Sequence, residues 1–445
     1  MKIKILFLRA MISSIKFNIT KLYFQLPFTN PKKKEWHIYY MVQPYFFSHH
    51  HFHLKKIKEL RLKGFNAWIL AFIPELLYLE NKLSYEEIQK EGYTKIVLVD
   101  NESKINRRVI QFLIKEFMLS KGVLLHVLRT DPDPIIRIRK WPIIGNKIKF
   151  ILEMEGDLPS ELVYQCAYIE KPGPPHQPTP ELQNTYDNAL EQVKYQVKEA
   201  DGLVLMSQEQ TELWENRLGR SLNACCLPTL ADSSLIQFRL DQRIKVRSNL
   251  GLNDRIVLVY TGNVNCKWQR LDAMCEFVAK LRSIIPNIWF LLLVHIDDLP
   301  MAYESICRNG LEQHSTVQNV SSEEIPNYLS AADLALFLRH IHPMNLVVTS
   351  GKLGEFLAAG LPVITTGANA EILNIFIKEM QAGLFLHDSL TINEEFLIKL
   401  KSLIHLSGQF GWRTNLSQKT AEIFGGKNDP FQNYVPFIKD ILKQH

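Results

Sequence analysis

Residues 350–366, SGKLGEFLAAGLPVITT, constrain this chain more than any other stretch. Leu353, Phe356 and Leu357 recur at helical spacing, so Ser350 to Ala359 reads as a short helix. Ser350 suits the N-cap, where its hydroxyl accepts a bond from a first-turn N–H. Gly360 ends the helix as a left-handed C-cap, and Pro362 forbids its continuation. Val363, Ile364, Thr365 and Thr366 are all β-branched and read as a buried parallel strand. Helix, tight turn and buried strand together make one unit of a doubly wound α/β sheet. The helix opens with unbonded N–H groups, which favour an anion. Lys352 adds positive charge there. Glu355, one turn in, is placed to accept the hydrogens of two ribose hydroxyls.

The stretch resembles the nucleotide-sugar signature of GT-B glycosyltransferases. The nearest pattern is that of retaining group 1 (family 4-like) enzymes of bacterial surface polysaccharide biosynthesis, Ser-Pro-x-Lys-x-x-Glu-Tyr-Leu-Ala-x-Gly-x-Pro-Val-Ile. This chain keeps Ser350, Lys352, Glu355, Leu357, Ala358, Gly360, Pro362, Val363 and Ile364, and departs at Gly351 and Phe356. Over Val257 to Leu386 it also shows the matching Tyr260, Gly262, Lys267, Trp268, Gln269, Arg339 and Asn345. The resemblance implies two Rossmann-like doubly wound domains, an interdomain cleft, and a C-terminal helix that crosses back to the first domain. It implies a hexosyltransferase-like activity, with a UDP- or GDP-sugar donor held by the second domain and a glycan or lipid-linked acceptor at the first. Neither metal nor another cofactor is implied.

Carried over residue by residue, the resemblance makes Lys267, Arg339 and Glu355 the catalytic set. Gly262, Asn263, Asn345, Ser350, Lys352 and Leu353 become the donor-binding set. Gly262 would let a diphosphate approach the backbone, and the cations would stabilise it as it leaves. Two departures matter. Asn263 stands where the family has an arginine, and Val347 where many members carry a glutamate eight positions before Glu355. These keep open a catalytically degenerate member that binds nucleotide sugar or a partner. A GT-B epimerase or phosphorylase is the alternative among enzymes.

The chain of 445 residues is long enough for two cores. Its net charge of +6 sits in the opening segment, which has no acidic residue before Glu35. A general nucleic-acid surface is therefore not implied. Residues 1–34 read either as a basic amphipathic helix at a membrane surface or as a loosely docked leader. No apolar run reaches the length of a membrane span. Arg9 and Lys16 interrupt any secretory h-region, so a cytoplasmic protein is expected, peripheral to the inner face of the membrane if the leader binds lipid. None of the six cysteines forms C-x-x-C, and reduced thiols are expected.

The expected layout is a first α/β domain over 35–220, a linker over 221–250, a second α/β domain over 251–430 and a crossing helix over 431–445. Within it, Lys267 to Leu281 reads as a helix, and Ser321 to Leu329 as another, capped by Ser321 and Glu324. Candidates on the acceptor side are His49 and His50 in the first βα loop, and Glu153 and Glu155 at a strand end, where open sheets place ligands. Adjacent histidines point different ways and no carboxylate cluster accompanies them, which argues against a metal site. No G-x-S-x-G elbow and no P-loop appears, so a serine hydrolase and a P-loop NTPase are disfavoured.

Overall fold

The computed structural model describes residues 35–46, 50–128, 130–167, 179–228, 236–340, 342–348, 350–366, 381–387, 389–425 and 431–443. The basic leader over 1–34 and His49 lie outside the described residues.

Among the described residues thirteen strands form two sheets, all of their pairings parallel. The first sheet contains β1 (Trp36–Val42), β2 (Asn66–Pro74), β3 (Thr94–Val99), β4 (Gly122–Leu128), β5 (Ile148–Met154), β6 (Gly202–Leu205) and β7 (Ala224–Cys226), in the order β3-β2-β1-β4-β5-β6-β7. The second contains β8 (Ile256–Thr261), β9 (Ile288–Leu293), β10 (Ser315–Gln318), β11 (Leu334–Phe337), β12 (Val363–Thr365) and β13 (Gly383–Phe385), in the order β10-β9-β8-β11-β12-β13. Each order reverses direction beside its first strand, at β1/β4 and at β8/β11. A crevice opens at the carboxyl ends of such strands, and ligands of doubly wound sheets bind there.

The helices that position the site are α1 (His50–Leu62), α2 (Leu158–Ala167), α3 (Leu240–Asn249), α4 (Ile325–Ala331), α5 (Gly351–Ala358), α6 (Phe410–Gly425) and α7 (Phe431–Lys443). Helix α5 fills the expected stretch, and Gly360 follows it at φ +67°. A Cβ there would run into the backbone of Arg413. Helix α7 buries Phe431, Tyr434, Val435, Ile438 and Ile441 against α1 and the first sheet, so the C-terminal helix does cross back.

Three expectations change. The stretch read as linker supplies β7 to the first sheet, while α3 is tied to the second through Asp333. The helix expected from Lys267 is a 3₁₀ turn, Lys267–Gln269. It breaks at Arg270, whose φ is +54°, before a helix over Leu271–Ile284. The capping box at Ser321 is a turn, and α4 starts only at Ile325.

Buried arginines fasten the ends of α4 and α5. Arg413, fully buried, donates to the carbonyls of Leu329, Ser330 and Ala332 at the end of α4, and of Ala359 and Gly360 at the end of α5. Arg243 and Arg247 of α3 join it around the single carboxylate of Asp333. Helix carboxyl ends carry partial negative charge, which explains how so many cations share one acid.

A second polar cluster anchors α7. Lys56 Nζ donates to Tyr40 Oη at 2.8 Å and to both oxygens of Glu153, at 2.5 and 2.8 Å. His126 lies 2.8 Å from Glu153 Oε2 through Nε2, and 2.8 Å from the Tyr434 hydroxyl through Nδ1. The ammonium and imidazole hold the Glu153 carboxyl well below the usual range, against burial, which pushes the other way. Breaking such a pair leaves a buried charge uncompensated. Lys56→Met should cost about 3–5 kcal/mol in urea unfolding, and Lys56→Met with Glu153→Leu clearly less than the two single losses summed. Additive losses would contradict the pairing.

Candidate active site at the second switch point

The second sheet's switch point brings together three segments far apart in sequence. The end of β8 supplies Gly262, the end of β11 supplies Arg339, and the first turns of α5 supply Lys352 and Glu355. Gly262 takes φ +113°, which glycine tolerates and other residues rarely do. The turn also leaves no room for a side chain, since a Cβ would lie 3.0 Å from Lys352 Nζ and closer to its Cε. The Lys352 stem therefore lies directly on the Gly262 backbone. Its ammonium is 5.8 Å from the Tyr260 ring centroid.

Arg339 is 9% exposed, and its side chain reaches no carboxylate within ion-pair distance among the described residues. Its backbone is pinned to the end of β12, with Arg339 N donating to Thr366 Oγ1 at 2.6 Å. Its Nη1 donates to Asn345 Oδ1 at 3.3 Å, and its Nε finds no acceptor among the described residues. Burial lowers the pKa of the Arg339 guanidinium. Lys352 is pushed down to about 8, first by burial and then by the neighbouring Arg339 charge, with Glu355 and Cys266 acting against this. The Glu355 carboxyl is raised by burial, which Lys352 partly offsets. Two cations thus sit together, poorly solvated, with one half-buried carboxylate in reach. The cost falls if an anion binds between them.

The loop after Gly262 is built to hold a shape. Asn265 N donates to Asn263 Oδ1 at 2.8 Å and Val264 N to Asp298 Oδ2 at 2.9 Å. The Tyr260 hydroxyl lies 3.0 Å from Asn263 O and 2.9 Å from Gln269 Oε1. The amides of Asn263 and Cys266 have no acceptor among the described residues and remain available to an anion.

The first domain closes over this site. Tyr164 of α2 is 2% exposed, packs with Met344 and Trp268, and meets the His342 ring at 5.2 Å between centroids. The Ser207 hydroxyl donates to Val347 O at 2.9 Å. Val347, where the family's earlier glutamate would stand, is 4% exposed and serves this contact. Tyr164, His342 and Ser207 were not singled out in the sequence, because nothing local marks a contact between segments so distant.

The structure draws Gly262, Arg339, Lys352 and Glu355 together, with Asn263, Asn345 and Ser350 beside them in other roles. Lys267 is exposed and makes no ion pair among the described residues. Asn263 shapes its own loop. Asn345 is buried and spends its amide on Arg339 and on His340 O, the latter at 2.9 Å, so it positions Arg339. Ser350 stands at the N-cap without a side-chain bond. Leu353 is 3% exposed and belongs to the core. On the acceptor side, His50 Nε2 is 2.7 Å from Glu91 and Glu153 is locked to Lys56, so burial and pairing remove both from a ligand-facing role. Glu155 is half-buried, near enough to raise the Tyr40 phenol.

Two parallel Rossmann-like sheets with a returning C-terminal helix make the GT-B fold. Solved structures agree. The chain superposes on a glycosyltransferase from Rickettsia africae with TM-score 0.61 at 14% identity, covering 92% of this chain and 100% of that one. It matches HepE from Anabaena, solved in complex with UDP-glucose, with TM-score 0.60 at 13% identity over 92% and 99% of the two chains. Sucrose-phosphate synthase from Thermosynechococcus elongatus gives TM-score 0.63 at 12% identity over 92% and 99%. No family model and no curated protein sequence matches the chain.

An anion between the cations stabilises the Lys352 ammonium, so affinity depends on its protonation. The Kd for a nucleoside diphosphate should be flat below about pH 8 and rise roughly tenfold per pH unit above it. Lys352→Arg should remove the break. Calorimetric titration across pH 6.5–9.5 checks this, and an unchanged break in the variant contradicts it.

Proposed function

We propose that this chain is a glycosyltransferase that moves a sugar from a UDP- or GDP-sugar to a glycan or lipid-linked acceptor. The observation that carries the proposal is the pair of cations at a sheet switch point, buried Arg339 and half-buried Lys352, the latter set against the Gly262 backbone. They suit a pyrophosphate, and Glu355 one turn in suits the ribose hydroxyls beside it. HepE, solved with UDP-glucose, supports the choice of donor class.

In the proposed reaction the bond between the sugar's anomeric carbon and the diphosphate oxygen breaks, an acceptor hydroxyl oxygen bonds to that carbon, and the hydroxyl proton passes to the departing diphosphate. Arg339, Lys352 and the free loop amides stabilise the charge that develops on the leaving diphosphate. The first domain presents the acceptor and excludes water that would hydrolyse the donor. The motif around Glu355 favours transfer with retention, of the group 1, family 4-like kind, in surface polysaccharide synthesis. The basic leader is proposed to hold the enzyme at the inner face of the cell membrane.

A second reading, a GT-B protein that binds nucleotide sugar without turnover, draws on Val347. Where relatives of this pattern offer a carboxylate to the sugar, this chain uses a backbone carbonyl to hold Ser207.

A thermal-shift panel of UDP-, GDP- and ADP-sugars, followed by measurement of nucleotide release with and without candidate acceptors, separates the two. The enzyme reading expects one donor class to stabilise the protein and be consumed. Binding without release supports the degenerate reading, and no binding at all overturns both. Glu355→Ala should weaken nucleotide affinity about 10–100-fold, the value of a lost charge-assisted contact.

A further inference from the structure

Helix α2 belongs to the first domain, and its origin is firmly held there. Asp157, just before it, is fully buried and accepts from Arg217 Nη1 at 2.5 Å and Nη2 at 2.8 Å. The Ser160 hydroxyl donates to the same carboxylate. Its far end touches the other domain. There Gln165 makes two bonds to the backbone of the loop that follows Gly262. Its Nε2 donates to Asn265 O at 3.3 Å, and its Oε1 accepts from Lys267 N at 3.0 Å. A carboxamide that pairs with a C=O and an N–H two residues apart imitates a neighbouring strand. It fixes the loop's path at both points without touching a side chain.

We propose that Gln165 is a positioning residue that makes the shape of the diphosphate-receiving loop depend on the first domain being docked. The proposal rests on the glycosyltransferase reading and extends it to a residue outside the donor motif.

The physical case is an accounting of loop amides. Gly262 N bonds to Leu293 O at 2.8 Å, and Val264 N and Asn265 N bond to Asp298 and Asn263. All of these partners are in the second domain. Lys267 N alone bonds to the first. Its bond closes the segment that carries the free amides of Asn263 and Cys266, and it precedes the 3₁₀ turn that carries Trp268. With the domains apart, Lys267 N and Asn265 O lose these partners, and the stretch between them keeps only bonds within its own domain, Asn265 N to Asn263 Oδ1 and Gln269 N to Cys266 O. Donor affinity comes from Lys352, Arg339 and Glu355, none of which Gln165 touches. Charge stabilisation in the transition state needs the loop amides aimed where charge develops, and this is what Gln165 secures. Its loss should therefore appear in kcat and in affinity for UDP, which carries the leaving group's full charge, while the KM for the intact donor is spared.

The test compares wild type with Gln165→Met, which is close in shape and makes neither bond, and with Gln165→Asn, which keeps the carboxamide on a shorter stem. The probes are free UDP, measured by calorimetry, and turnover of the donor that the wild type consumes. We expect the donor KM to stay within about threefold of wild type in both variants, while the UDP Kd rises as kcat falls. We expect kcat to fall about 10–100-fold in Gln165→Met, as when a contact made in the transition state is removed. Gln165→Asn should fall between. If Gln165→Met keeps wild-type kcat, the positioning role is overturned while the enzyme reading stands. If kcat, donor affinity and melting temperature fall together, the residue is merely structural and the role is again overturned. If the wild type binds UDP and consumes no donor, the enzyme reading fails and takes this inference with it.

Discussion

The site depends on one electrostatic constraint: two poorly solvated cations held near one another, without a carboxylate bonded to either among the described residues. Arg339 and Lys352 each disfavour the other's charge, and burial disfavours both. Such an arrangement costs stability unless something negative completes it. Glu355 does not complete it, since burial raises its own pKa and it makes no ion pair within 4 Å among the described residues. The proposed partner is an anion from outside, which the unbonded amides of the loop after Gly262 would help to receive.

Holding like charges together requires a rigid frame, and the fold supplies one. Strand β12 pins the Arg339 backbone through Thr366, and Asn345 steers its side chain. Lys352 is delivered by α5, whose carboxyl end is clasped by Arg413 across the Gly360 turn. The Arg413, Arg243 and Arg247 group meets a single acid, Asp333, because helix carbonyls supply the remaining acceptors. Cations thus appear in two roles within one domain. Where carbonyls saturate them they are structural; where Arg339 Nε has no acceptor, the capacity is left for a ligand.

Much of this was legible in the chain because it is local. Gly360, Pro362 and the β-branched run fix α5, its turn and β12 within seventeen residues, and the nearness of Lys352 to Glu355 follows from helical spacing. What was not legible depended on contacts across long separations. Glu153 ends a strand and looks like a ligand group, yet Lys56, 97 residues away, neutralises it in the core. Lys267 looks like the start of a helix, but Arg270 adopts a left-handed conformation and Gln165 takes the Lys267 amide. The segment after 221 looks like a linker from its prolines and polar patches, while β6 recruits three of its residues as a strand. Val347 reads only as a missing glutamate; its carbonyl's bond to Ser207 is a property of the closed pair of domains.

The central claim is that Lys352 and Arg339 exist to meet a diphosphate. The direct measurement is a calorimetric comparison of UDP with uridine, in wild type and in Lys352→Met. The wild type should prefer UDP strongly, and the variant should lose most of that preference while its affinity for uridine barely changes. A variant that discriminates between the two ligands as well as the wild type does would contradict the account.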